Sequence, residues 1–215
     1  MPALDELTAA LTHAAILEEF ESARLESERD HASVAVISID IDEFAAINRQ
    51  YGHITGDEVL RAVAAALLKN FHDLGLVGRY AGDQFVVVLR GARAETAFVL
   101  AEEVRKVIED SLQLQIGDHK GYLAVRVLGG VAEFPADGGN WTELFRKADE
   151  ALYRARRLGR NRVCLPSSAQ MVTKTSHFTL VQLEKLAEQA KKSGKSEASL
   201  LREALDDLLR KFDVA

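Results

Sequence analysis

Residues 76–89 read Leu76-Val77-Gly78-Arg79-Tyr80-Ala81-Gly82-Asp83-Gln84-Phe85-Val86-Val87-Val88-Leu89. Two apolar, β-rich runs flank a short segment holding Gly and Asp, which is the pattern of a β-hairpin. An acid at a hairpin tip can face a metal. A second acidic strand end, Ile39-Asp40-Ile41-Asp42, lies some forty residues upstream. Two carboxylates on adjacent strands are the minimal equipment for holding a divalent cation against a nucleotide phosphate. Taken singly, strand-end aspartates more often just cap turns.

Working outward, Leu4, Leu7, Leu11 and Leu17 predict an amphipathic helix from about Leu4 to Glu28. Val34 to Asp40 reads as a strand. A brief helix follows from Glu43 to Gln50, Tyr51-Gly52-His53 breaks it, and a second helix runs from Gly56 to Phe71. After the hairpin, Ala94 to Glu109 is helical by period. Leu112–Ile116 and Tyr122–Val131 read as strands. Asn140 is placed to cap a helix from Trp141 to Leu158, and Arg162 to Leu165 closes as a strand. The kernel of this order is β-α-β-β-α-β, an α+β, ferredoxin-like plan. On that plan the end of the first strand and the hairpin tip become neighbours.

The chain has 215 residues, 47% hydrophobic and 28% charged, an ordinary globular composition. A single cysteine, Cys164, excludes a disulfide framework and a cysteine zinc site. No apolar stretch reaches membrane-spanning length, and a cytoplasmic location with no membrane partner is the simple reading. Net charge is −6; residues 171–215 hold 8 basic and 7 acidic side chains, so the rest is the acidic part. A blanket affinity for nucleic acid is not implied.

Composition changes after Pro166. The sequence divides into residues 1–165, a polar linker at 166–172, and a tail at 173–215. In the tail, Thr179-Leu180-Val181-Gln182 is a capping box opening a helix that Gly194 ends. Ser196 caps another helix, with Leu200, Leu201, Ala204, Leu205, Leu208 and Leu209 on it. Two helices this short cannot bury their apolar faces alone, so the tail is expected to dimerise.

Several spaced motifs together resemble the GGDEF domain of the diguanylate cyclases. They are Ser38-Ile39-Asp40-Ile41-Asp42-Glu43-Phe44, Ile47-Asn48-Arg49-Gln50-Tyr51-Gly52-His53, Gly56-Asp57, Arg79 to Phe85, Ala148-Asp149-Glu150-Ala151-Leu152-Tyr153 and Gly159-Arg160-Asn161. The resemblance implies the nucleotidyl cyclase palm and condensation of two GTP into cyclic di-GMP by a homodimer. It implies Asp40 and Asp83 as catalytic metal ligands, with the Ile41 carbonyl, for Mg²⁺ or Mn²⁺. Asn48 and Asp57 match the guanine-reading pair; a carboxylate accepts from guanine N1–H and N2, which adenine does not offer. Asp57 also has the chemistry of a helix N-cap after Gly56. Phe44 and Gly82 complete the substrate contacts, and Arg156 and Arg160 match the phosphate-binding cations.

The match has departures. Gln84 replaces the family's second acid, Ala81 its first glycine, and Ala45 a usual Lys; His72-Asp73-Leu74-Gly75 stands where an inhibitory Arg-x-x-Asp is expected. These support a second reading: a catalytically impaired GGDEF domain that binds GTP or a cyclic dinucleotide and regulates a DNA-binding tail. The tail resembles a ribbon-helix-helix module, in which Thr173, Thr175 and His177 would face DNA. A plain helical dimerisation tail fits the same residues.

Overall fold

The computed structural model describes residues 2–115, 122–166, 178–194, 196–198, 200–201, 204–205 and 208. The chain forms two compact units, Met1–Gln170 and Met171–Ala215.

The first unit is built on strand β1 (Val34–Ile41). All of β1 but Asp40 is buried, and the two sides of the strand serve different layers. Ala35, Ile37, Ile39 and Ile41 join one core, Val34 and Val36 another, as period-two alternation requires. β1 pairs antiparallel with β3 (Gln84–Arg90) on one edge and β6 (Val127–Phe134) on the other. β2 (Leu76–Ala81) extends the sheet beyond β3, and the short β7 (Val163–Cys164) runs parallel to β6. The order β2-β3-β1-β6-β7 is the expected ferredoxin-like plan with one added edge strand.

Helices α2 (Phe44–Phe71) and α3 (Ala94–Ser111) cover one face. Val59, Leu60, Val63, Leu67, Ala97, Val104 and Ile108 pack there against the odd-numbered side chains of β1. Helices α1 (His13–Asp30) and α4 (Trp141–Arg157) cover the other face through Ile16, Phe20, Leu144 and Ala148. The architecture is therefore a sheet between two helical layers. Asn140 caps α4 as expected, accepting from Glu143 N–H at 3.0 Å.

Three boundaries differ from the sequence reading. The first helix begins at His13, not Leu4. Asp5 accepts from the Thr8 amide and hydroxyl at 3.0 and 2.6 Å, closing a turn. Leu11 then runs beside β2, bonding Val77 and Arg79 at 2.9 and 2.8 Å, so its backbone is committed to the sheet edge. The 122–131 run divides: β5 (Tyr122–Ala124) pairs with β4 (Gln113–Gln115) in a separate two-stranded sheet, and β6 starts at Val127. The second helix resumes immediately after Gly52 rather than at Gly56, so Asp57 lies within helix and is not its N-cap.

In the second unit, α5 (Leu180–Ser193) opens with the Thr179–Gln182 capping box and ends at left-handed Gly194. The residues described after Ser196 are helical. No side chain of α5 is buried. Thr173, Thr175 and His177 lie outside the described residues. No helix among the described residues is long and apolar enough to cross a membrane.

Candidate functional site

The register of β1 and β3 sets the acidic end of the sheet. Asp40 pairs directly with Gln84, so the turn joining β2 to β3 is just Gly82-Asp83. Ala81 and Gln84 are strand ends, not turn residues. Gly82 adopts φ +54°, which favours glycine, although a Cβ there would touch nothing within 4 Å. The turn's backbone, rather than a close neighbour in the chain, accounts for this glycine. Arg79 braces it: Nε donates to the Gly82 carbonyl at 2.9 Å, and Nη1 lies 3.2 Å from Asp5.

Asp40 shares its side of β1 with Ser38 and points toward α4. Its carboxylate lies 3.0 Å from Arg156 Nη2, and only 16% of the side chain is exposed. Burial raises its pKa above the ordinary carboxylate value; nearby Asp83 adds to that by repulsion, and Arg156 opposes it. A carboxylate that is costly to ionise, beside a second acid, is a place where positive charge is favoured. Ile41 follows, buried on the opposite side of the strand. Mg²⁺ accepts one or two carboxylates with substrate oxygens completing its shell, so Asp40 and Asp83 fit such an ion. Among the described residues no group of three or more acids, histidines or cysteines gathers to hold a metal without that help.

Gln84, across from Asp40, has its amide bonded to other groups. Its Nε2 donates to Ser38 Oγ at 2.9 Å and to Asp149 Oδ1, on α4, at 3.2 Å. Arg160 Nη1 lies 2.6 Å from Asp42 and 3.5 Å from Glu43. Both candidate phosphate cations are thus held on carboxylates at the end of β1, Arg156 on Asp40 and Arg160 on Asp42.

Asn48 lies on the first segment of α2, beyond the strand. A helix in one piece would carry Asn48 and Gly56 roughly 12 Å apart along its axis. The non-helical Gly52 (φ 85°, ψ 164°) turns the chain between them. The two residues meet as a result: a Cβ on Gly56 would lie 1.9 Å from Asn48 Oδ1 and 3.3 Å from the Phe44 ring. Asn48 Oδ1 is buried and has no hydrogen-bond partner among the described residues. Half-buried Asp57 follows Gly56 on the same segment.

The family described as "Diguanylate cyclase, GGDEF domain" matches residues 2–162, three quarters of the sequence. This chain belongs to the GGDEF domain family. A relative named diguanylate cyclase, from Vibrio cholerae, is 34% identical over 161 residues, covering 75% of this chain and 49% of that one. Diguanylate cyclase DosC of Escherichia coli K12 is 35% identical, over 74% of this chain and 34% of its own. The chain thus spans half or less of the length of these relatives. The crystal structure of the GGDEF domain of DgcB from Caulobacter crescentus, in complex with c-di-GMP, superposes with a TM-score of 0.70 at 30% identity, covering 75% and 92% of the two chains. The active GGEEF domain of a Vibrio cholerae diguanylate cyclase gives 0.65 at 32% identity, covering 74% and 98%. The mixed α+β fold expected from the sequence is that of these GGDEF structures.

Four residues that the sequence reading gave no role line this candidate site: Ser38, Asp42, Asp149 and Gly56. Ser38 was accessible from alternation, being two residues before Asp40 on the same strand. Gly56 was visible as a motif residue but not as the floor under Asn48. Asp42 and Asp149 stood in motifs, but nothing local tied them to their partners, which are 118 and 65 residues away.

Proposed function

We propose that the chain condenses two GTP molecules into cyclic di-GMP as a homodimer, with Mg²⁺ or Mn²⁺ held by Asp40, Asp83 and the Ile41 carbonyl. The observation that carries this reading is the mostly covered Asp40 side chain beside Asp83, at the sheet end flanked by two arginines. On the base side, the kink at Gly52 brings Asn48 against Gly56 and near the Phe44 ring, with Asp57 next in the chain.

In this reading Asn48 and Asp57 select guanine, Phe44 borders the base, and Gly82 carries the turn beside the phosphates. Arg156 and Arg160 leave Asp40 and Asp42 for the triphosphate, freeing Asp40. A bound divalent ion would supply Lewis-acid polarisation of the α-phosphate and ease loss of the 3′-hydroxyl proton. The 3′-oxygen of one GTP bonds to the α-phosphorus of the other, and the bond to pyrophosphate breaks. The reciprocal attack closes the ring and releases a second pyrophosphate. Each protomer holds one GTP, so the reaction needs two chains face to face. The tail is the proposed dimerising module, residues 173–215 following a linker at 166–172. Leu180, Val181 and Leu205 are 78%, 58% and 54% exposed, apolar surface that a second copy would cover.

A second reading rests on Gln84, whose amide is bonded to Ser38 and Asp149 where the family has an acid. It makes the domain a receptor for GTP or a cyclic dinucleotide. Incubation of the full chain with GTP and Mg²⁺ separates the two. Cyclic di-GMP is the expected product; GTP bound but unconverted would overturn the cyclase and leave the receptor.

A further inference from the structure

The loop after α4 has three consecutive residues with positive φ: Gly159 at 111°, Arg160 at 61° and Asn161 at 44°. Two of them carry side chains, for which this region is unfavourable, and such conformations persist only where the surroundings impose them. The Arg160 N–H closes the end of α4 on the Ala155 carbonyl at 3.1 Å and Arg162 Nε donates to the Arg160 carbonyl at 3.2 Å; beyond these bonds, the loop's side chain at Asn161 is held by one face of α3. Asn161 Oδ1 accepts from Arg105 Nη1 at 2.9 Å, and Asn161 Nδ2 donates to Glu109 Oε1 at 2.6 Å. Val163 N–H donates to Glu102 Oε1 at 2.6 Å. Arg105, only 8% exposed, ties the acids together, with Nε 3.0 Å from Glu102 and Nη1 2.7 Å from Glu109. The spacing 102, 105, 109 places all three on one helical stripe. Arg126 lies on the outer side, 3.6 Å from Glu109.

The opposite side of the same loop is Arg160, whose guanidinium stands at Asp42 at the end of β1. We infer that Asn161, with Arg105 and Glu109, is a positioning group for Arg160: it holds the left-handed loop that aims this cation into the phosphate end of the site. The inference rests on the proposed role of Arg160 in binding the triphosphate. In this assignment Asn161 acts through Arg160, its own amide being taken up by Arg105 and Glu109. Its amide is used on both ends by α3, so it transmits the position of α3 to Arg160 through one peptide unit. A mere anchor for the loop would contribute to stability alone. A positioning group sets how much a triphosphate adds to the binding of the base.

The test measures, on the full chain with Mg²⁺, the affinity for GTP by calorimetry and for guanosine by NMR titration. Asn161→Gly removes both side-chain bonds while leaving a residue at ease at positive φ, which protects folding. Glu109→Ala removes one partner, and Glu109→Gln keeps an acceptor for Asn161. Arg160→Ala is the reference. Asn161→Gly and Glu109→Ala are expected to weaken GTP about tenfold, the scale of one charge-assisted hydrogen bond, with guanosine unchanged. Glu109→Gln is expected to restore most of the loss. An unchanged GTP-to-guanosine ratio in Asn161→Gly, or equal loss for both ligands, overturns the inference. A wild-type ratio in Arg160→Ala would overturn the reading of Arg160 instead, and the inference with it.

Discussion

Gln84 shows what one side chain decides. As an amide it can donate, and it does so to Asp149, a carboxylate on another element. Gln84→Glu would set two acids side by side close to Asp40 and Asp83. Without metal the variant is expected to melt below wild type, and Mn²⁺ is expected to raise its melting temperature more than it raises the wild type's. Thermal shift with and without Mn²⁺ checks this; equal gains would mean that position 84 lies beyond the metal's influence. Cyclic di-GMP formation should rise in the same variant. The sequence made Asp40 and Asp83 readable as a strand end and a turn acid. It did not reveal where Gln84 or Arg160 would lodge, because an ion pair between side chains 118 residues apart leaves no periodic trace.

At the scale of elements, α4 rests almost directly on β6. A Cβ on Gly130 would lie 2.0 Å from the Ala148 carbonyl oxygen and 2.3 Å from the Leu152 nitrogen, both backbone atoms. Gly130→Ala must therefore displace the helix that carries Asp149 and Arg156. Overpacking of this kind costs about 1–3 kcal/mol. A lower urea midpoint is expected, together with weakened GTP binding; an unchanged midpoint would show that α4 shifts without cost. Helix and strand identities were mostly legible, because α3 and the part of α2 after Gly52 follow an apolar helical period, and the inner strands are short, continuous apolar runs. The errors arose where backbone bonding overruled pattern. Leu4, Leu7 and Leu11 have helical spacing, yet Leu11 gives its amide and carbonyl to β2. Tyr122–Val131 looks like one strand, yet its first three residues pair with β4 and its last residues with β1.

For the whole molecule, the division at Gln170 carries a prediction. A chain ending at Gln170 keeps all the sheet, both helical layers and every residue of the candidate GTP site. It is expected to fold, to bind GTP with wild-type affinity, and to lose both dimerisation and cyclic di-GMP synthesis. Light scattering and a product assay on the same sample check the pair of effects. A truncated chain that remains dimeric would remove the tail from the assembly mechanism.

The central placement of β1 has a consequence for motion. Its backbone is bonded along both edges, from Val34 to Asp40 with β3 and to Ile41 with β6. Its amides can exchange hydrogen with solvent only when the sheet itself opens. The Gly82-Asp83 tip has no strand on either side, and the β2–β3 ladder slips register next to it, between Arg79 and Ala81. What steadies the tip is the Arg79 guanidinium on the Gly82 carbonyl, one side chain in place of a ladder. The two acids therefore differ mechanically: Asp40 is the fixed jaw of a vice and Asp83 the travelling one, so any closure around a ligand is made by the two-residue turn and not by the strands.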